Sequence, residues 1–300
     1  MRRLPLPFIV KGICLMMVSM LSACAAAGTP QPEREIPGGT ILDAAADRPI
    51  TFDALIERLS GVRVVYVGEQ HTNPAHHAVQ LRIIQALARR WTDTQVGMEM
   101  FARTYQPRLE QWAAGEWDWP TFLREVHWYA NWKFDDTLYR DILDFVRENR
   151  LKLAGLNIPF DLPSKIAIGG IDSLLPRDRA MLPERIDLSN AAHRDYVKSI
   201  SEMHAFPGRG DFENFYAAQC AWEDGMAHAI AERLGNSRMV VLAGNGHIIR
   251  KFGIPDRAFA RTGASFLTVY LAATGETIEN DIADFIWITE PSPEAKSPHR

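Results

Sequence analysis

Five short apolar runs, each divided from the next by a longer stretch of helical periodicity, constrain this chain more than any other feature. They are Arg63 to Val67, Gln95 to Met98, Leu151 to Leu156, Arg238 to Leu242 and Phe266 to Leu271. Each is rich in Val, Leu, Ile or Tyr, and most are followed at once by Gly or a polar residue, as in strands buried on both faces. Between them, Ala75 to Trp91 sets Val79, Ile83, Ile84 and Leu87 on one helical face, and Asp136 to Asn149 does the same with Leu138, Ile142, Leu143 and Val146. Phe212, Phe215, Trp222, Met226 and Ile230 mark a further long helix ending near Leu234. Strands alternating with helices predict an α/β fold: a central, mainly parallel sheet flanked by helices on both faces. The irregular stretch from Ile158 to Tyr196 predicts an inserted region of short helices and loops.

The ends say where such a domain goes. Arg2, Arg3 and Lys11 precede the apolar run Ile13 to Leu21, which is short of the roughly 20 residues that span a bilayer. Leu21-Ser22-Ala23-Cys24 follows and resembles the bacterial lipobox, so residues 1–23 are expected to be removed and Cys24 acylated. Residues 25–40 hold almost no large apolar side chains and read as a tether. Residues 24–50 are therefore assigned to the lipidated Cys and tether, 51–290 to one domain and 291–300 to a disordered tail. Loss of three basic groups with the signal takes the formal charge from −4 to −7. An acidic chain without a basic run excludes a nucleic-acid partner. With Cys14 removed and Cys24 acylated, Cys220 has no partner for an internal disulfide. Ala25 in place of an aspartate favours the outer over the inner membrane.

In a parallel sheet, ligands bind at the carboxyl ends of the strands. Polar residues foreign to a core collect there: Glu69 and His71 after the first strand, Glu99 ending the second, Asn157 the third, and His247 in Gly244-Asn245-Gly246-His247 after the fourth. Two helices extend the set. Asn73-Pro74 opens one that carries His77 and Gln80 three apart, and Gln219 and Glu223 share a face of another. Plainer roles exist for each: Glu69 and His71 as helix caps, Glu99 as the ion partner of Arg103, His247 as a loop hydrogen-bonder. His76 and His127 read as surface or packing residues, while His193, His204 and His299 have no context. Two carboxylates and two imidazoles suit a divalent metal, a metal-free general base, or a polar cofactor site without turnover.

The chain resembles the ChaN family of haem-binding uptake lipoproteins, within the wider Tiki and erythromycin-esterase-like superfamily. The resemblance rests on Gly68-Glu69-Gln70-His71 with His77 and Gln80, Gly97-Met98-Glu99-Met100, and Trp128, Trp132, Phe134 and Tyr139. It continues through Gly155-Leu156-Asn157-Ile158-Pro159, Gln219, Trp222, Glu223, Met226-Ala227, Gly244-Asn245-Gly246-His247 and Gly253-Ile254-Pro255. It implies the same sheet architecture and a haem-binding envelope lipoprotein for iron acquisition, with a tyrosine as axial ligand and two chains meeting over the porphyrins. A membrane haem receptor or transporter would take the cargo. None of the seven tyrosines falls in a motif that marks the ligand, and Phe252 stands beside His247 where a tyrosine would have served. Arg250, Lys251 and Arg257 are the propionate candidates. Trp112, Trp117, Trp119, Trp128 and Trp132 offer haem walls or ordinary core packing. The resemblance favours a carrier over an enzyme. The alternative is a Glu/His-dependent or divalent-metal hydrolase of an ester, lactone or peptide.

Overall fold

The computed structural model describes residues 36–203 and 211–290. The expected signal, Cys24 and the tail from Pro291 lie outside the described residues. Eight strands form one sheet: β1 (Ile41–Asp43), β2 (Arg48–Ile50), β3 (Val64–Val67), β4 (Thr94–Ala102), β5 (Lys152–Asn157), β6 (Arg238–Leu242), β7 (Phe266–Ala273) and β8 (Phe285–Thr289), in the order β2-β1-β8-β7-β3-β6-β4-β5. The run from β8 to β5 is parallel throughout, while β1 and β2 join antiparallel at the β8 side. The five expected strands are all present, with β4 and β7 longer than expected.

The residues given to the tether reach into this sheet. Ile41 pairs with Trp287 and Asp43 with Phe285, so the fold begins upstream of Thr51, where its boundary was drawn. Three-residue strands carry too few apolar positions for period two to stand out, and β8 (Phe-Ile-Trp-Ile-Thr) went unassigned although it is wholly buried.

The helices are α1 (Phe52–Ser60), α2 (Pro74–Ala88), α3 (Gln106–Ala113), α4 (Trp119–Glu125), α5 (Trp128–Asn131), α6 (Thr137–Glu148), α7 (Leu162–Gly169), α8 (Pro176–Arg179), α9 (Ala191–Met203), α10 (Phe212–Leu234) and α11 (Ile254–Thr262). Local chemistry starts several of them. Thr51, Asn73, Asp118 and Asp211 each accept a bond from a first-turn amide, and Pro74 follows Asn73 as expected. Alternation within β3 divides the core. Val65 and Val67 join the cluster containing Ile83, Leu87, Ile142, Leu143 and Trp112, while Val64 and Tyr66 join Met226, Ile230, Ile254 and Ala258 on the other face. Each fully buried Leu, Ile or Val contributes about 1.5–3 kcal/mol, which is why these faces and not propensity place the helices. Trp112, Trp119, Trp128 and Trp132 are buried in the first cluster and Trp117 packs against it, which is the core role.

Two close contacts fix the inserted helices and the outer strand. A Cβ on Gly225 of α10 would lie 2.3 Å from Ile158 Cγ2, just beyond β5. Gln106 of α3 donates from Nε2 to Leu153 O at 2.9 Å and accepts from Gly155 N at 3.1 Å, running along the free side of β5.

Candidate functional site

The three central strands β3, β6 and β4 lie side by side, so their carboxyl ends converge. Glu69 follows β3. Glu99 lies where the β4–β5 register slips, between the pairs Met98–Gly155 and Ala102–Asn157. Such a bulge re-aims a side chain out of the regular alternation, and here it places a carboxylate at the sheet's rim. His247 comes from the single turn Asn245–His247 after β6.

These groups form two sets of acids and imidazoles that meet at Gly244. His71 Nδ1 donates to Glu69 Oε1 at 2.7 Å, and Tyr139 Oη donates to the same oxygen at 2.7 Å. His77 Nδ1 stands 3.2 Å from Glu69 Oε2, off the line of a hydrogen bond, so that oxygen keeps unused acceptor capacity. His77 Nε2 reaches His71 O at 3.2 Å, and Gln80 Nε2 donates to Val67 O and Gly68 O. Glu99 Oε2 accepts from Gly244 N at 2.7 Å, its Oε1 lies 3.4 Å from His247 Nε2, and its backbone O accepts from Asn157 Nδ2 at 2.8 Å. His247 Nδ1 is 3.3 Å from Glu223 Oε1, which also accepts from Gln219 Nε2 at 2.7 Å. A Cβ at Gly244 would sit 3.0 Å from His71 Cε1 and 3.2 Å from Nε2, so only glycine lets the loop pass the imidazole this closely.

All nine cluster residues named from the sequence therefore meet. Tyr139, His193 and Asp224 were missed. Tyr139 shares the buried face of α6 with Ile142, Leu143 and Val146, a phenol in a core stripe, which was the available signal. Glu223 and Asp224 are adjacent acids in a helix otherwise lined with Ala, Gly, Cys and Met, a second signal. His193, 3.3 Å from Glu223 Oε2, had none. Among the plainer roles, Arg103 binds Met181 O and Glu232 instead of Glu99. His76 is fully buried and accepts from Gln70 N, while His127 pairs with Tyr105.

Electrostatics separate the two imidazoles on strand-end loops. Burial raises the Glu69 carboxyl, but the bond from His71 and the His77 imidazole close beside it outweigh that and bring the group down to about 2. Burial disfavours a charged His247, yet Glu99 and Glu223 on either side push it up to about 10, so it is a cation at neutral pH. Burial raises both acids, but His193 and His247 hold Glu223 low and His247 holds Glu99 low. His71 is also raised, burial being outweighed by the Glu69 bond and the Glu99 charge. Because an ionised Glu69 can only accept, the His71 proton sits on Nδ1 when the ring is neutral, leaving the lone pair on Nε2. The His71 side chain keeps 28% of its exposure and is walled by Trp132 and Phe134 at centroid distances of 4.8 and 5.0 Å. His71 is the partly exposed imidazole, and His247 is a buried counter-ion.

Among the described residues no group of three or more His, Cys, Asp or Glu is arranged to hold a metal ion.

The basic candidates are also engaged. Arg257 is buried, donating to Asp224 and lying 3.5 Å from Glu223 Oε2, so its role as a propionate partner is replaced by that of an internal counter-ion. Arg250 pairs with Glu279 and Asp281, and Lys251 with Asp284, in partly exposed ion pairs. Of the tyrosines, Tyr105, Tyr129, Tyr139 and Tyr216 spend their hydroxyls on His127, Asp136, Glu69 and Asn190 O, and Tyr66 is buried. Tyr196 of α9 and Tyr270 of β7 are half-buried and pack on one apolar cluster with Ile249 and Ile36. Tyr270 stands one residue beyond the Val67–Val269 pair, at the same carboxyl edge. Burial and then the Glu223 charge raise the Tyr196 phenol, and the nearby Arg250 charge works against that rise.

A mainly parallel sheet with acids and imidazoles along its carboxyl edge and two half-buried tyrosines beside them defines an α/β protein. The family model described as haem-binding uptake, Tiki superfamily, ChaN matches residues 55–258, and the chain belongs to that family. Among solved structures, ChaN of Campylobacter jejuni, described with cofacially bound haem, superposes with a TM-score of 0.67 at 21% identity, covering 82% of this chain and 95% of that one. That likeness is one of fold. An erythromycin esterase mutant in its open conformation matches with a TM-score of 0.48 at 12% identity over 81% of this chain and 78% of its own. The type III effector HopBA1 matches at 0.45 and 13%, over 79% and 92%. No curated protein sequence matches.

Proposed function

We propose that this chain is an envelope lipoprotein, acylated at Cys24, that binds haem for iron uptake with Tyr196 as the axial ligand. The observation that carries the reading is the Tyr196–Tyr270 pair: two phenols on an apolar cluster at the ligand-binding edge, within a family whose members bind haem. The donor set fits the group, since a ferric centre takes a phenolate oxygen and the porphyrin needs apolar surroundings. Bound ferric haem would supply the Lewis acidity that ionises the phenol. Arg250 offsets the resulting charge, and its exposed pairs with Glu279 and Asp281 are weak enough to exchange for a propionate. Titration of the protein with haemin should give a saturable Soret shift. Tyr196→Phe should weaken binding about tenfold, roughly 1.4 kcal/mol, and lose the phenolate-to-iron charge-transfer band, while Tyr270→Phe retains that band. Absence of a saturable shift in the unaltered protein at micromolar haemin rejects the proposal.

A second reading has its own observation. His71, held by Glu69 through Nδ1, partly exposed and packed beside Trp132 and Phe134, keeps an Nε2 lone pair and is arranged as a general base. This supports a metal-free hydrolase of an ester or lactone.

A further inference from the structure

We infer that the carboxyl edge of the sheet, rimmed by Ile168 and Leu175, lies against the surface of a phospholipid bilayer. The inference rests on acylation at Cys24, as proposed above.

The first argument is where the chain enters the fold. β1 runs antiparallel to β8, with Ile41 opposite Trp287 and Asp43 opposite Phe285. β1 therefore starts at the carboxyl edge and runs away from it. Gly39 N donates to Ile288 O at 2.8 Å, and Ile36 packs on the cluster that holds Tyr196 and Tyr270. The described chain thus begins on the edge that bears the site.

The second argument is length. Eleven residues separate Cys24 from Ile36. Fully extended, such a segment reaches about 40 Å. A domain of this size is roughly 45 Å across. An anchor that starts at the carboxyl edge cannot pass around the molecule and leave the opposite edge on the membrane.

The third argument is what the edge displays. The last turn of α10 feeds β6, so its first turn stands at the carboxyl edge. Gly170, after α7, touches that turn: a Cβ there would lie 2.9 Å from Asn214 Oδ1. Beside it Ile168 is 76% exposed and Leu175 53% exposed, flanking a hollow of about 350 Å³ that Arg177, Asp178 and Lys165 also line, Lys165 being paired with Asp161 and Asp178. Leu162 and Ile166 of the same helix are buried, so Ile168 is an outward addition to a helix already packed. The Arg177 side chain is 80% exposed and lies a loose 3.8 Å from Asp178. Aliphatic tips with a basic group between them suit a headgroup layer: the tips enter the acyl boundary and the guanidinium meets phosphate.

The test uses the full lipidated chain in vesicles of phosphatidylethanolamine and phosphatidylglycerol. Single variants Ile168→Cys and Leu175→Cys at the proposed face, and Thr92→Cys and Asn236→Cys at the opposite edge, carry an environment-sensitive fluorophore; native Cys220 is buried. Doxyl-labelled phospholipids should quench the first pair about threefold more than the second. Equal quenching at all four overturns the orientation. Labels at 168 and 175 that become shielded without lipid quenching, with a doubled particle mass, also overturn it in favour of a second copy of the chain. The mass of the processed protein reads the anchor separately. An unacylated Cys24 rejects the anchor and the orientation with it, whereas an acylated chain with uniform quenching rejects the orientation alone.

Discussion

Two histidines on neighbouring strand-end loops have opposite fates because of one carboxylate more or less. His247 touches Glu99 on one nitrogen and Glu223 on the other, and both contacts favour its charged form. His71 has a carboxylate on Nδ1 only, so its Nε2 remains available. If the site hydrolyses esters or lactones, His71 is the base and His247 sets the field around it. Glu69→Gln and His71→Ala should each abolish turnover with the fold intact by circular dichroism. The acid limb of the pH–rate profile should lie above 6.5, since His71 is raised from that value. A limb below 6.5, or activity surviving in both variants, would remove His71 from the chemistry. At this scale the sequence was informative where polar residues interrupted apolar runs, as at Glu69, Glu99 and His247. It was silent where a residue's partner came from a distant helix, as with His193 and Glu223, because nothing local marks such a meeting.

Length alone did not decide which elements were legible, since β8 was not read although it is longer than β3. A strand buried on both faces announces itself as a run, and β3, β6 and β7 did so. β1 and β2, with three residues each, depend on neighbours that sequence periodicity does not show. The bulge that turns Glu99 to the rim was equally hidden, since it exists only in the pairing of β4 with β5. The seam between α10 and the chain leaving β5 is set by the absence of a side chain at Gly225. Gly225→Ala should destabilise the protein by about 1–3 kcal/mol despite alanine's better helix propensity, as measured by urea denaturation. Ile158→Ala in the same chain should recover part of that loss. A Gly225→Ala protein as stable as the parent would mean the seam has slack.

For the molecule as a whole, the buried charges set a window of stability. Glu69 falls from 4.5 to about 2 on folding, so its contribution is present above pH 4.5 and lost as pH falls through 2. His247 rises from 6.5 to about 10, so its contribution is complete below 6.5 and lost as pH rises through 10. His76, brought down to about 4 by burial and by the charge of His77, is neutral in the fold and opposes stability as pH drops below 6.5. Together these place the optimum near pH 6.5. The urea midpoint should be higher there than at pH 4.5 or pH 9, and a midpoint that peaks at pH 9 would show that His247 is not held as a cation. The amide of Gln106 has a further consequence. By taking up Leu153 O and Gly155 N it occupies the outer margin of β5, while at the far margin β2 is three residues long and carries Pro49. Neither rim of the sheet offers a template for another strand. Copies crowded together on one surface can therefore meet through faces and loops without polymerising edge to edge.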